Sequence, residues 1–224
     1  MNLKKKLKKI NKKNFWKKFY KVKKPPLKNS NFSKFCLKYI KNYEGNIYDV
    51  GCGNGRDTKF FLKNKLSCYG VDQIKIIINK NKKKYTNYKK NFLNKNFSKI
   101  NFDKLSDKRY SIYSRFSLHS INNFEEKEFI KNLSKSKKLD LIMIETRTIY
   151  DEFYGVGKKI SNLEYFSDHY RRFIDPPKIK KKFKKKFKII YFKLGKNLAK
   201  FKKENPKVLR MVIKNERQKL PHRY

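Results

Sequence analysis

The sequence predicts an α/β fold built on a parallel sheet, and three stretches carry that prediction. The first is Ile47–Asp57, Ile-Tyr-Asp-Val-Gly-Cys-Gly-Asn-Gly-Arg-Asp, where a strand-like run enters alternate glycines and leads into the helical run Thr58-Lys-Phe-Phe-Leu62. The second is Cys68-Tyr-Gly-Val71, a further strand that ends in Asp72. The third is Leu139–Glu145, an apolar run ending in acid, as expected of a strand buried on both faces. Strand, tight turn and helix start let a nucleotide-like ligand lie on bare backbone, because glycine tolerates positive φ and carries no Cβ. A carboxylate about 20 residues past the turn, at the tip of the next strand, can accept two hydrogen bonds from a ribose.

The remaining elements follow in order. Residues 1–13 form a lysine-rich tract, expected as a basic arm. Residues 14–44 are expected as a helical lid or cap. Phe15, Trp16, Phe19 and Tyr20 fall at helical spacing, Pro25-Pro26 breaks the chain, and Ser30 can cap a second helix with the stripe Phe32, Phe35, Cys36, Tyr39 and Ile40. Simple core packing is the better account of most residues in both stripes. The main domain is expected over 45–214, with helices at Thr58–Lys65, Gln73–Lys84 and Phe124–Leu133. Ile74, Ile77 and Ile78 point inward although β-branched residues are poor helix formers, so packing must override propensity there. Asn91–Phe97 reads as the third strand and its exit, and Arg109–Ser114 as the fourth strand. Lys178–Lys186 reads as a very basic helix, Phe187–Phe192 and Val208–Ile213 as the last strands, and 215–224 as a polar tail.

The 224-residue length suits one domain with a modest extension. Lys and Arg number 62 against 18 Asp and Glu, for a net charge of +44. Such a balance points to a polyanionic partner. It competes with a bland source: Lys, Asn, Ile, Phe and Tyr are all written with A/T-rich codons, and the lysines are spread along the whole chain. Cys36, Cys52 and Cys68 are isolated, so neither a zinc site nor a disulfide framework is indicated, and a reducing cytoplasm fits. No apolar run is long enough to span a membrane.

Asp49-Val-Gly-Cys-Gly-Asn-Gly55 followed by Tyr69-Gly-Val-Asp72 resembles the first two motifs of the class I S-adenosylmethionine (SAM) dependent methyltransferases. The glycine spacing is Gly-x-Gly-x-Gly, with an acid two positions before the first glycine. The resemblance runs from about Phe15 to Ile213. It implies a Rossmann-like three-layer sandwich, with a seven-stranded, mostly parallel sheet closed by an antiparallel hairpin strand. It also implies SAM as cofactor, bound by Asp49, Gly51, Cys52, Gly53, Gly55, Asp72, Gln73 and Ser114, with Tyr20 of the lid shielding the methyl group. The adenine contact falls to Asn96 and Phe97. Asn96 departs from the acid common in the family, although an amide can still accept from the adenine amino group. Asp175-Pro-Pro177 resembles the start of the Asp-Pro-Pro-Tyr site of base-methylating enzymes, but Lys178 stands fourth, so it reads as a turn before a helix.

Ligands of such sheets bind beyond the carboxyl ends of the strands. That rule selects three clusters for the acceptor. Arg115 and His119 lie in Tyr113-Ser-Arg-Phe-Ser-Leu-His119, which resembles a subset of small bacterial methyltransferases. There His119 is the general-base candidate and Arg115 an anion grip, with a packed histidine as the competing reading. Glu145 and Arg147 end the fifth strand and either face the acceptor or pair with each other. His169, Tyr170, Arg171 and Arg172 sit in a long insert and suit an anionic acceptor. The expected function is therefore methyl transfer to a small or glycan-linked, anionic acceptor. Two alternatives remain open at this point: an RNA methyltransferase using the basic surface, and a non-catalytic protein of this fold that binds polyanions. The sequence indicates no metal site and no membrane span, and it leaves the oligomeric state open.

Overall fold

A computed structural model describes residues 12–22, 25–201 and 204–216, apart from the side chains of Lys12 and Lys13. Of the expected arm, residues 1–11 fall outside this set, as do residues 217–224 of the expected tail. Helices α1 (Lys12–Val22) and α2 (Asn31–Ile40) precede β1 (Asn46–Val50) and α3 (Arg56–Lys63). β2 (Cys68–Asp72), α4 (Lys75–Lys84), β3 (Phe92–Asn94), α5 (Phe102–Leu105) and β4 (Tyr110–Arg115) follow. Then come α6 (Asn123–Lys135), β5 (Leu139–Arg147), a small sheet of β6 (Lys158–Ser161), β7 (Glu164–Phe166) and β8 (Tyr170–Arg172), α7 (Pro176–Lys184), β9 (Lys188–Gly195) and β10 (Val208–Lys214).

The main sheet has seven strands in the order β3-β2-β1-β4-β5-β10-β9. β3, β2, β1, β4 and β5 pair in parallel, whereas β10 is antiparallel to both β5 and β9. The expected terminal hairpin is therefore present, with β9 rather than β10 at the sheet edge. Strand order reverses between β1 and β4, which opens a crevice above their carboxyl ends.

Alternation along the strands builds two cores. Ile47 of β1 packs with Phe32, Cys36 and Ile40 of α2 and Phe61 of α3 on one face. Tyr48 and Val50 pack with Phe129 and Leu133 of α6 and Phe183 of α7 on the other. Burial of the apolar groups of each face at about 25 cal/mol per Å² drives the three layers together. Side-chain caps hold the helix starts. The Ser30 side chain accepts from Ser33 N at 3.0 Å, and Asn122 and Glu125 exchange hydrogen bonds in a capping box. Asp175 accepts from Lys178 N with Pro176 behind it, the turn expected of Asp-Pro-Pro.

Within Asn91–Phe97 the strand itself is Phe92–Asn94, and at its exit Asn96 turns its side chain to cap a 3₁₀ turn at Phe97–Lys99. The long insert folds as a small sheet: β6, β7 and β8 pair antiparallel around Tyr165 and Phe173, whose ring centroids are 6.0 Å apart. Its alternating aromatic and charged residues give it one face to bury, which a loop would not have.

Candidate active site

The carboxyl ends of β1, β2, β4 and β5 meet at one crevice. Gly51, Gly53 and Gly55 all take positive φ, at +73°, +52° and +70°. A Cβ on Gly51 would lie 2.6 Å from Ser117 Cβ, and one on Gly53 would lie 2.8 Å from the Tyr20 hydroxyl. Conformation therefore favours glycine at both positions, and at Gly51 the space left by Ser117 demands it as well. The Asp72 carboxylate accepts from Gly53 N at 3.1 Å and from Ile74 N at 2.9 Å, which fixes the tip of β2 against the glycine turn.

Carboxylates surround this turn in a chain that is otherwise strongly cationic. Asp49 accepts from Thr58 Oγ1 at 2.6 Å. Burial, with Asp57 nearby, pushes its pKa up to about 7. Burial likewise raises Asp72 to about 6, against the pull of its backbone donors. Asp57 accepts from Ser30 N at 2.7 Å, Ser30 Oγ at 2.8 Å and the Tyr113 hydroxyl at 2.8 Å, which ties α2 to α3 and β4. Asp49, Asp57 and Asp72 are all nearly inaccessible, so the turn is a buried anionic spot that favours a cation.

Two small cavities flank the turn. One, of about 60 Å³, is lined by Asp72, Gln73, Ile74 and Phe97. The other, of about 150 Å³, is lined by Asp49, Cys52, Gly53, Arg56 and Asp57. Tyr20 borders both and stands between them, with its backbone carbonyl accepting from Lys80 Nζ at 2.6 Å. Burial, then Asp72, keeps the Tyr20 phenol protonated far above its usual range. Of the expected cofactor residues, Gly55, Ser114 and Asn96 do not line either cavity. Ser114 Oγ shares a 2.5 Å hydrogen bond with Ser117 Oγ, and Asn96 accepts from Ser98.

A larger cavity of about 770 Å³ adjoins them through Gly51 and Tyr20. α1 supplies Phe15, Trp16 and Phe19, β4 and its turn supply Arg115, Phe116 and His119, and the insert supplies His169 and Arg171. Phe116 has φ +52°, an outlier for a bulky residue, held by its N–H on the Glu145 carbonyl at 2.8 Å and by the Arg115 guanidinium over its ring. That turn aims His119 into the cavity. His119 is buried, and its Nδ1 has no hydrogen-bond partner among the described residues. Burial, then Arg147, His169, Arg171 and Arg172, holds its pKa well below 6.5, so the imidazole is neutral near pH 7. His169 lies flat against Phe15 at 4.4 Å between ring centroids, with Nδ1 3.0 Å from Asp168.

Three of the expected acceptor residues lie elsewhere. Glu145 sits beneath the cavity wall, where it accepts from Arg115 Nε at 2.9 Å and Arg210 Nε at 2.6 Å. Tyr170 donates to Glu164 at 2.6 Å within the small sheet. Arg172 turns away from its neighbour and bonds Glu126 and the carbonyls of Leu118 and Ile121. Arg56, Asp57, Phe116 and Glu204 were not singled out from the sequence. Arg56 and Asp57 follow the last glycine directly, which was signal enough, whereas Glu204 reaches Arg147 across 57 residues and carried no signal.

No protein-family model matches this chain, and no curated protein matches it by sequence. Solved structures do match it by fold. A SAM-dependent methyltransferase from Clostridium acetobutylicum shares 15% identity at a TM-score of 0.62, covering 83% of this chain and 91% of its own. One from Anabaena variabilis shares 16% at 0.61, covering 91% and 93%. The Burkholderia thailandensis 1,6-didemethyltoxoflavin-N1-methyltransferase, solved with its substrate and S-adenosylhomocysteine, shares 14% at 0.59, covering 82% and 76%. The fold is thus that of the class I SAM-dependent methyltransferases.

Proposed function

We propose that this protein is a SAM-dependent methyltransferase that modifies a small anionic acceptor. The observation that carries the reading is the Gly53–Asp72 hydrogen bond, which joins a side-chain-free turn to the acid of the adjacent strand inside a ring of buried carboxylates. The residues suit the donor's parts. Asp72 offers acceptors to ribose hydroxyls, and Phe97 and Ile74 an apolar bed for adenine. Asp49 and Asp57 face the cationic methionine end, and Arg56 its carboxylate. Tyr20 has to swing off the glycine turn to admit the donor, after which α1 closes over it. When bound, SAM supplies a methyl group already activated by its positive sulfur. The chain's own part is to align the acceptor, exclude water and take up a proton. His119 is the group for that last task, because it is neutral near pH 7 and its Nδ1 is unengaged. Arg115, Arg147 and Arg171 give the cavity its preference for an anion.

Calorimetry with SAM tests the donor half. Wild-type protein should bind, and Asp72→Ala should bind more weakly by about 1.5–3 kcal/mol, the cost of lost charged hydrogen bonds. Labelled SAM with fractionated extract of the source cell identifies the acceptor, and His119→Gln should lower label transfer by about 10²–10⁴ while leaving SAM affinity intact.

A further inference from the structure

We infer that the acceptor is a flat ring bearing an anionic group, with the ring against α1 and Phe116 and the anion between Arg147 and Arg171 in place of Glu204 and Asp168. This rests on the donor-site reading above and goes beyond it by assigning the acceptor's chemistry.

The two arginines are held differently on their two sides. Arg147 Nη1 makes a bidentate pair with Asp151, at 3.0 Å to each oxygen, and the Asp151 side chain is fully buried. Its Nη2 instead meets Glu204 at 2.5 Å, whose side chain is 52% exposed. Arg171 Nη1 meets Asp168 at 2.6 Å, and that side chain is 63% exposed. Exposed ion pairs of this kind contribute little, so an incoming anion can replace these carboxylates while Asp151 keeps Arg147 aimed. Glu204 and Asp168 thus act as resident counter-ions that an incoming anion displaces.

The rest of the lining specifies the ring. Phe153 lies under both guanidinium groups, 5.1 Å from Arg147 and 5.3 Å from Arg171. Phe15, Trp16 and Phe19 of α1 and Phe116 opposite give the cavity aromatic surface against which a ring can pack. No Asn, Gln, Ser or Thr is among the described residues that line it. The polar groups that do line it are mostly cationic or imidazole, Lys18, Arg115, His119, Arg147, His169 and Arg171, and these suit a phosphate or carboxylate beside an aromatic wall.

Trp16 lines the cavity and is the chain's one tryptophan, so its fluorescence reports occupancy directly. The experiment titrates the full chain with phenyl phosphate, inorganic phosphate and benzyl alcohol. Phenyl phosphate should give a saturable change at the lowest concentration, since it alone has both ring and anion. Asp168→Asn and Glu204→Gln should each tighten it about two- to fivefold, by removing a competitor worth no more than an exposed ion pair. Arg147→Gln should weaken it about tenfold or more. The inference is overturned if benzyl alcohol binds as well as phenyl phosphate, if phenyl phosphate produces no saturable change, or if the two carboxylate variants bind it unchanged or more weakly. SAM titrated by calorimetry on the same protein separates the two readings. SAM binding without phenyl phosphate binding removes this inference alone, and failure of SAM to bind removes both.

Discussion

Replacing Gly51 by Ala puts the packing of the glycine turn to a quantitative test. Two costs apply. The first is conformational: at φ +73° an L-residue costs about 1–2 kcal/mol. The second is steric. The new Cβ would sit 2.6 Å from Ser117 Cβ, and Ser117 is not free to yield, because its hydroxyl is bonded to Ser114 and its carbonyl accepts from Ser120. Forced overpacking of this kind adds about 1–3 kcal/mol. Gly155 supplies the control, since it has φ +87° with nothing within 4 Å, so Gly155→Ala bears the first cost alone. With a urea slope of about 2 kcal/mol/M, Gly51→Ala should unfold about 0.5–1.5 M below Gly155→Ala. Equal midpoints for the two variants would refute the claim that β4's turn closes tightly on the glycines.

Four further outcomes are expected. SAM affinity should rise with pH across about 5.5 to 7.5. Asp49 and Asp72 have folded pKa values raised to about 7 and about 6, so they gain the charge that attracts a sulfonium only across that window. In the free protein the same shifts add stability that is complete below about pH 3.8 and fades as pH rises through 6 to 7. Asp72→Asn should flatten the lower part of the affinity rise in calorimetry, and an unchanged profile would assign the titration elsewhere. Glu145→Ala should destabilise by about 3–5 kcal/mol, because it leaves the guanidinium groups of Arg115 and Arg210 without their shared carboxylate. A denaturation midpoint close to wild type, with methyl transfer abolished, would instead return Glu145 to the chemistry.

The parts of this molecule legible in the sequence are those set by local chemistry. Glycines that must take positive φ, an acid at a strand tip and the apolar run of β5 each announce themselves within a few residues. The crevice at the sheet's carboxyl edge follows from them. Long-range pairing was not legible. Nothing near Glu145 says that Arg210, 65 residues on, will occupy its second oxygen. Nothing near Arg172 says that it will anchor to Glu126 rather than face the cavity. The small sheet of the insert was not legible because its strands are only three or four residues long, too short for alternation to stand out among so many lysines. Tyr20 was placed near the donor, but its position across the glycine turn depends on how α1 docks, which periodicity does not encode.

The neighbouring arginines of β8 carry a consequence for how this insert can vary. Because successive side chains leave a strand on opposite sides, Arg171 reaches the cavity while Arg172 clamps the carbonyls on either side of the His119 turn. A one-residue slip of β8 in its pairing with β7 would exchange those duties in one stroke, unclamping the histidine's turn and re-aiming the anion contact together.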